Sequence, residues 1–265
     1  MSDDDCAGTG LDTRLPHSAR IWNYWLGGKD NYAADRAAGD AYAAVFPRIT
    51  VIARASRAFL TRAVRHLAAD AGIRQFLDIG TGLPTQDNTH QVAQRAAPAC
   101  RIVYVDHDPL VLAHARALLT SSPHGSCDYI DADLRDPAAI LAAAGQILDF
   151  GQPLALMLMG IVGHLPDSHA YPIVAELVAA LPPGSYLALY DGTNRNDAFT
   201  KAQDAYNQTG ATPYHLRSPD QITRFFHGLT LVEPGIVSCS LWRPEPTQAW
   251  PPAEVETYGG LGHKQ

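Results

Sequence analysis

A glycine turn after an apolar stretch is the first place where residue types and spacing suggest chemistry. The segment Phe76–Gly82 runs through Asp78 into Gly80, Thr81 and Gly82. Glycines at a turn let the backbone approach a ligand closely, and ligands of open α/β sheets bind at the carboxyl ends of the strands. A G-x-G pattern alone also fits an ordinary tight turn, so the cofactor interpretation needs further residues.

Acidic residues end the next two apolar stretches. Asp106 comes roughly 25 residues after the turn, where an acid accepts both hydroxyls of a ribose. Asp133, followed by Leu134, ends the next stretch, where a carboxylate could accept the exocyclic amine of adenine. His107 is expected to pack against the same adenine. An acid after a strand can also be a helix N-cap, which fits Asp108 but not Asp106.

The turn indicates which cofactor these residues hold. Pro84 stands where a dinucleotide fingerprint needs its third glycine, and no G-x-x-x-x-G-K-[ST] phosphate loop follows. Asp78 would repel phosphates but suits the α-amino group of a methionine moiety. The pattern favours S-adenosylmethionine over NAD. An NAD-dependent oxidoreductase is a competing interpretation, although the sequence lacks a Tyr-x-x-x-Lys pair.

Two residues are candidates for catalysis. Methyl transfer from a sulfonium is an in-line displacement, and it needs a general base only if the acceptor is protonated. His164 follows Gly160 in the loop after the fourth apolar stretch, where it could take a proton near neutral pH or only hydrogen-bond its own loop. Asp191 could orient an amine or hydroxyl acceptor, or cap the following helix. No Cys/His spacing resembles a zinc site, so no metal is expected.

The N-terminal block combines aromatic and polar residues around a Gly27-Gly28 break. Such a break suits a lid that closes over a cofactor and excludes water. Trp22 and Trp25, at i and i+3, are either core residues or part of a ligand cage. We expect the lid to bind the cofactor or shape the acceptor site through Arg20, Asn23, Tyr24, Lys29, Asn31 and Tyr32.

Alternating apolar and amphipathic segments predict the elements that position these residues. Short apolar runs alternating with helical segments indicate βαβ units and a parallel sheet covered on both faces. The predicted strands are 75–79, 101–106, 126–130, 153–159 and 186–190, with a terminal antiparallel hairpin of 230–232 and 236–242. The predicted helices are 18–26, 32–46, 48–71, 87–97, 109–119, 137–144, 168–181, 194–208 and 219–226.

Length and composition bound the organisation of the chain. Its 265 residues, 46% hydrophobic, suit one α/β domain with a helical cap. We predict a flexible tail over 1–13, a helical lid over 14–72 and a cofactor-binding Rossmann-like domain over 73–265, which forms a single globular unit with the lid.

Charge and hydropathy limit the partners. The net charge of −7 argues against a nucleic-acid-binding surface. The acidic N-terminus does not resemble a signal peptide, and no apolar run is long enough for a membrane span, so a cytoplasmic protein is expected. The expected partner is a small-molecule acceptor, without nucleic acid or membrane; a homodimer stays open.

Several blocks carry a family resemblance. Phe76–Pro84, Tyr104–Pro109 and Asp131–Asp133 resemble the successive motifs of class I S-adenosylmethionine-dependent methyltransferases. The chain also resembles an actinobacterial S-adenosyl methyltransferase family formerly called domain of unknown function 574. The blocks that carry this closer resemblance are Ala19–Tyr32, Leu77–Thr85, Leu216–Gly235, Trp242–Pro244 and Tyr258–Gly260.

The resemblance implies a class I methyltransferase fold with a seven-stranded sheet, one bound S-adenosylmethionine, and an acceptor that the family does not identify. Tyr190-Asp191-Gly192-Thr193 departs from the family's pattern at the end of the fifth strand, which leaves the acceptor pocket in question. The sequence thus predicts a methyltransferase for a small acceptor. The alternative is a protein that binds S-adenosylmethionine or S-adenosylhomocysteine for regulation, with little or no catalysis.

Overall fold

The computed structural model describes residues 12–84, 87–111, 113, 121–245 and 252–265. Most of the predicted tail and most of the predicted helix over 109–119 lie outside these ranges.

One mixed β-sheet forms the centre of the molecule. Its strands are β1 Gln75–Ile79, β2 Arg101–Asp106, β3 Ser126–Asp131, β4 Ala155–Met159, β5 Tyr186–Gly192, β6 Thr230–Leu231, β7 Val237–Ser238 and β8 Thr257–His263. Their order is β3-β2-β1-β4-β5-β8-β6, and β7 pairs with β8. Strands β1 to β5 are parallel, while β8 runs antiparallel to its neighbours. The predicted α/β class with a mixed sheet is confirmed, with eight strands in the described ranges in place of seven.

The antiparallel end of the sheet differs from the predicted hairpin. Strands β6 and β7 each pair with β8 rather than forming a hairpin together. Strand β8 was missed because its glycines have low strand propensity. Close backbone approach explains them: a Cβ on Gly259 would lie 2.3 Å from the Leu189 carbonyl oxygen, and one on Gly260 would lie 2.6 Å from that of Gly235.

Helices cover both faces of the sheet. They are α1 Ser18–Trp25, α2 Ala33–Val45, α3 Ile49–Arg65, α4 Thr89–Ala96, α5 Pro137–Ala144, α6 Asp167–Ala179, α7 Asp197–Asn207 and α8 Pro219–Thr223. On one face, α5 and α6 pack against alternate strand residues such as Leu77, Val103 and Leu156. On the other, the N-terminal helices and α7 pack against the intervening residues, including Phe76 and Tyr104.

Short helical turns complete several elements. A π-helical turn, His66–Asp70, continues α3, and 3₁₀ turns span Val162–His164 and Arg224–Phe226. Helix α1 ends at Trp25, and Gly27 follows it with a φ of +82° and an N–H bond to the Tyr24 carbonyl (2.9 Å), as in a glycine C-terminal cap. Within the described ranges, no helix is long and apolar enough to cross a membrane.

Candidate functional site

A cavity of about 300 Å³ opens at the carboxyl ends of β1, β2 and β4. The glycine turn after β1 forms its floor, and residues of α1 and α3 form the facing wall. Gly80 and Gly82 have φ values of +75° and +65°. A Cβ on Gly80 would lie 2.4 Å from Cγ1 of Ile161 in the loop after β4, so this position requires glycine.

Asp78 places a buried carboxylate at the base of the cavity. The residue is only 4% exposed, and its Oδ2 accepts a hydrogen bond from Thr89 Oγ1 (2.6 Å). Burial raises the pKa of this carboxyl to about 6, although the Thr89 bond and the charge of Arg57 act to lower it. The site can therefore stabilise a cation that enters it.

Arg57 of α3 also lines this cavity, and sequence reasoning did not select it. Its guanidinium donates to Asn88 Oδ1 (2.9 Å), and burial lowers its pKa. The sequence nevertheless contained a signal for Arg57. It stands four residues after Ala53 and three before Leu60, both of which are buried on α3, so the three residues share one face of the helix. An arginine on the apolar face of a helix points to a polar environment there.

Asp106 lies beside the glycine turn as predicted. Its Oδ2 accepts the Gly82 N–H (2.9 Å), and its Oδ1 accepts the N–H groups of His107 (2.8 Å) and Asp108 (3.1 Å). These bonds fix the carboxylate at the cavity wall, where it retains lone pairs for the hydroxyls of a ligand. His107 is exposed at the cavity edge. Asp108 accepts the Leu110 N–H (2.7 Å), in agreement with its predicted capping role.

Asp133, Leu134 and Gly160 also line the cavity. The carboxylate of Asp133 is paired with Arg135, both oxygens lying about 3.0 Å from Nε, and this bond lowers its pKa. An adenine amine would share this acid with the arginine. Gly160 has a φ of +77°, and a Cβ there would lie 3.0 Å from the Tyr190 ring.

His164 lies in the wall of this cavity, in the 3₁₀ turn after β4. Its Nδ1 is 3.0 Å from the Pro213 carbonyl oxygen. Because a carbonyl only accepts, Nδ1 carries the proton of the neutral ring and Nε2 holds a lone pair. Burial lowers the pKa of His164 to about 4. No described residue is hydrogen-bonded to Nε2. The ring therefore makes a backbone hydrogen bond through Nδ1 and keeps Nε2 as a nitrogen that can accept a proton.

Asp191 is fully buried and lines neither this cavity nor the second one described below. Its Oδ2 is 2.9 Å from Nη1 of Arg217, and its Oδ1 accepts the Tyr214 hydroxyl. Burial raises its pKa to about 6. Asn196, not Asp191, caps α7. The structure thus places Asp191 behind the site, where it orients other residues.

Arg217 connects that carboxylate to the loop that carries His164. It is 1% exposed, donates to Asp167 Oδ1 at the start of α6 (2.8 Å), and donates to the carbonyls of Val162 (3.2 Å) and Leu165 (2.6 Å). The Tyr214 ring packs edge-on against His164 with the centroids 5.1 Å apart. The 214–217 segment therefore positions His164.

A second cavity, of about 50 Å³, lies between α1, α2, α3 and α7. It shares Ser18, Trp22 and His164 with the larger cavity. The side chains on the α7 side include Phe199 and Tyr206. His164 therefore borders both cavities.

The predicted lid residues occupy different positions. Asn23 is buried and lines the large cavity, and its Oδ1 accepts from the Asp30 N–H and from Asn31 Nδ2, each at 3.0 Å. Arg20 is buried in an ion pair with Asp35 (3.0 Å). The five predicted lid residues that line neither described cavity are Arg20, Tyr24, Lys29, Asn31 and Tyr32.

The aromatic residues of the same block lie in different surroundings. Trp22 lines both cavities, while Trp25 lies in the core and in the wall of the smaller one. Tyr24 donates to Asp40 at the surface (2.7 Å), and Lys29 is exposed. Within the described ranges, no group of three His, Cys, Asp or Glu side chains is arranged to hold a metal ion.

Comparison with known proteins identifies relatives over nearly the whole chain. The model of the S-adenosyl methyltransferase family matches residues 4–265. A crystal structure of a family 574 protein from Streptomyces avermitilis is 44% identical, with a TM-score of 0.92, over 96% of this chain and 99% of that one. A candidate methyltransferase from Thermobifida fusca is 39% identical, with a TM-score of 0.89, over 98% and 99%.

A curated relative from Mycobacterium tuberculosis is described as a candidate S-adenosyl-L-methionine-dependent methyltransferase. It is 33% identical over 128 residues, which span 46% of this chain. The match covers only 38% of the mycobacterial protein.

Proposed function

The chain belongs to the S-adenosyl methyltransferase family, and on this premise we propose that it binds S-adenosylmethionine in the 300 Å³ cavity and methylates a small molecule. The observation that carries the proposal is the arrangement of that cavity. Two carboxylates from adjacent strand ends, a glycine turn and a histidine with an acceptor nitrogen all line the same space.

The lining fits the cofactor group by group. Asp78 can receive the ammonium of the methionine moiety, and Arg57 can receive its carboxylate, because the two side chains line the same cavity and carry charges of opposite sign. Asp106 can accept the ribose hydroxyls. Asp133, His107 and the apolar side chain of Leu134 can contact the adenine. The cavity volume lies at the lower end of the range for ligand pockets, roughly 300 to 1,000 Å³.

S-adenosylmethionine supplies a methyl group bonded to a positively charged sulfur. The protein's contribution is to hold the acceptor in line and to exclude water. The wall formed by α1 and α3 would exclude water from the cavity. For this reason we propose that residues 14–72 act as a lid over the 73–265 domain. His164 would accept the acceptor's proton, and Arg217 and Tyr214 would position it.

A small acceptor is favoured over a macromolecule for two reasons. The space beside His164 that does not belong to the large cavity measures about 50 Å³ and is bounded by helices. The net charge of −7 also disfavours nucleic acid.

Calorimetric titration of the full chain tests the cofactor assignment. We expect S-adenosylmethionine and S-adenosylhomocysteine to bind with 1:1 stoichiometry and NAD to show no binding. Asp106→Asn should weaken binding of both sulfur compounds. Asp204→Asn, an exposed change on α7, should leave it unchanged. Binding of NAD without binding of either sulfur compound would overturn the proposal.

A further inference from the structure

Asn23 of α1 presents a side-chain N–H donor to the large cavity. On the basis of the proposed function, we infer that Asn23 Nδ2 donates a hydrogen bond to the methionine carboxylate of S-adenosylmethionine. Asn23 would share this carboxylate with Arg57 of α3. The N-terminal helices would then select cofactors that carry the carboxylate.

The segment after α1 binds the oxygen of the Asn23 amide. Oδ1 accepts hydrogen bonds from the Asp30 N–H and from Asn31 Nδ2, each at 3.0 Å. Asn31 Nδ2 also donates to the Gly28 carbonyl (3.0 Å), which holds it in place. Because Oδ1 faces two N–H donors, the hydrogen bonds determine which end of the amide is oxygen and which is nitrogen. The Asn23 amide therefore has a defined orientation, with Nδ2 at its other end.

Gly28 provides the space that the Asn23 amide occupies. A Cβ on Gly28 would lie 2.4 Å from Asn23 Nδ2 and 2.5 Å from Oδ1. The Gly28 N–H also donates to the main-chain carbonyl of Asn23 (2.8 Å). The two glycines after α1 thus have different roles, since Gly27 adopts a positive φ and Gly28 allows the amide to pack against the main chain. A side chain at position 28 would displace the donor.

Nδ2 of Asn23 lacks a protein partner but is not sealed from solvent. No described residue accepts a hydrogen bond from it, and it is absent from the unpaired side-chain atoms that have no accessible surface. Nδ2 therefore keeps accessible surface, although Asn23 as a whole is only 3% exposed. Of the two cavities, Asn23 lines the larger one alone. Since buried polar groups are nearly always hydrogen-bonded, a ligand in this cavity is the expected partner of Nδ2.

The path of α1 determines which part of a ligand Asn23 meets. Just before α1, His17 Nδ1 lies 3.1 Å from Oδ2 of Asp108, which follows β2. Ala19 then covers the glycine turn after β1, because a Cβ on Gly82 would lie 3.8 Å from the Ala19 Cβ. Asn23 stands on the same face of the helix, four residues and about 6 Å farther along its axis. Helix α1 therefore runs from the end of β2 across the end of β1.

The proposed contacts to the cofactor follow the same order along the sheet. Strands β3, β2 and β1 are neighbours. Asp133 after β3 would contact the adenine, Asp106 of β2 the ribose, and Asp78 of β1 the ammonium. Because α1 crosses in the direction from β2 to β1, Asn23 lies beside the methionine moiety rather than beside the nucleoside.

The chemistry of the methionine moiety leaves one partner for an N–H donor. Its sulfonium and ammonium groups are cations without a lone pair to share, whereas its carboxylate accepts hydrogen bonds. In the described lining of the cavity the guanidinium groups are those of Arg57 and Arg135, and Arg135 is bonded to Asp133. A neutral amide beside Arg57 would strengthen carboxylate binding without adding positive charge near the sulfonium. The carboxylate is therefore the group that Asn23 would recognise.

Asn23→Asp tests the donor directly. Aspartate keeps the acceptor oxygens for Asp30 and Asn31 and replaces the Nδ2 donor by a second oxygen, which would repel a carboxylate. The probes for calorimetry are S-adenosylhomocysteine and its decarboxylated analogue, 5′-(3-aminopropylthio)-5′-deoxyadenosine, which keeps the nucleoside, the thioether and the ammonium. We expect the variant to lose about 10- to 100-fold in affinity for S-adenosylhomocysteine, as for a lost hydrogen bond to a charged group. Its affinity for the analogue should not decrease more than twofold.

The matched control for this change is Asn194→Asp. It introduces the same change of charge at an exposed residue that lines neither cavity, and it should alter neither affinity. Equal weakening of both probes by Asn23→Asp would indicate a structural role and overturn the inference. An unchanged affinity for S-adenosylhomocysteine would overturn it as well.

Gly28→Ala tests the orientation of the amide without changing its chemistry. The added Cβ should displace Nδ2 and weaken binding of S-adenosylhomocysteine at least fivefold, with less than a twofold effect on the decarboxylated analogue. A loss shared equally by the two probes would contradict the proposed role of Gly28.

A measurement on the wild-type chain decides the inference even if neither variant folds. The side-chain amide NMR signal of Asn23, assigned through its covalent bonds, should shift when S-adenosylhomocysteine binds and stay in place with the decarboxylated analogue. If S-adenosylhomocysteine binds and this signal does not respond, the inference fails and the proposed function stands. If neither S-adenosylmethionine nor S-adenosylhomocysteine binds, the proposed function itself fails.

Discussion

The environment of Asp78 favours different protonation states in the free and ligand-bound protein. Burial raises the pKa of this carboxyl to about 6, compared with about 3.9 in an unfolded chain. Since the folded value is the higher one, ionisation of Asp78 between these values lowers the stability of the free protein as the pH rises. An ammonium ligand would reverse the preference by favouring the charged form. The ionised Asp78 carboxylate thus lowers the stability of the free protein but strengthens the binding of an ammonium ligand.

The first prediction concerns Asp78→Asn. Because asparagine cannot ionise but can accept the Thr89 hydrogen bond, the variant should lose about 100-fold in affinity for S-adenosylmethionine at pH 7.5 without a decrease in its free energy of unfolding. In wild type, the affinity should fall as the pH is lowered through about 6. Calorimetry and urea titration measure both quantities. An affinity within threefold of wild type would contradict the assignment of Asp78.

The second prediction concerns the charge of His164. Burial lowers its pKa to about 4, and the nearby His17, His107 and His215 act in the same direction. The ring should therefore stay neutral between pH 8 and 5.5. Its NMR signals, identified by their loss in His164→Gln, should not shift over this range. A titration centred near 6.5 would show that the ring is more solvated than the structure indicates.

At the scale of elements, Arg217 joins three parts of the chain. It contacts the end of β5 through Asp191, the start of α6 through Asp167, and the loop between β4 and α6 through the carbonyls of Val162 and Leu165. Removing one member of a buried ion pair leaves an uncompensated charge, which typically costs about 3 to 5 kcal/mol. The geometry of the loop that carries His164 depends on this arginine.

The third prediction follows from that arrangement. Arg217→Met should lower the free energy of unfolding by about 3 kcal/mol or more in urea titration. Adding Asp191→Asn to the same chain should recover part of the loss, because it removes the unpaired charge. Arg65→Met is the matched control, since its ion pair with Glu245 is exposed and such pairs contribute at most about 1 kcal/mol. Equal effects of the two single changes would contradict a buried pair.

At the scale of the whole molecule, the larger cavity has walls from two distant parts of the chain. Helix α1 and Arg57 of α3 face the strand ends of the sheet. A ligand that contacts both walls links them, and its binding energy is added to the folding stability. Helices α5 and α6 lie on the other face of the sheet, away from this contact.

The fourth prediction uses this difference between the two faces. At 100 times its Kd, S-adenosylmethionine should stabilise the protein by about 2.7 kcal/mol. Hydrogen exchange should slow more in α1 and the glycine turn than in α5, beyond any uniform effect of global stabilisation. Slowing confined to the sheet, with α1 unchanged, would contradict a role for the N-terminal helices as a lid.

Local periodicity was enough to predict most elements of the sheet and its two layers. Strands β1 and β2 have the predicted bounds, because a buried parallel strand appears as a short apolar run between helical segments. The positions of Asp78 and Asp106 follow directly, since parallel strands end at one edge of the sheet. Strand β8 could not be recognised this way, because its glycines reflect the approach of neighbouring backbones rather than a local preference.

The sequence by itself determined the α/β class, the glycine turn and the acids beside it, because these depend on neighbours in the chain. Only the tertiary structure decided which residues surround His164 and what Asp191 contacts. Tyr42 and Gln203, hydrogen-bonded in the wall of the smaller cavity, are 161 positions apart. Such contacts depend on how α2 packs against α7, and no local pattern encodes that packing.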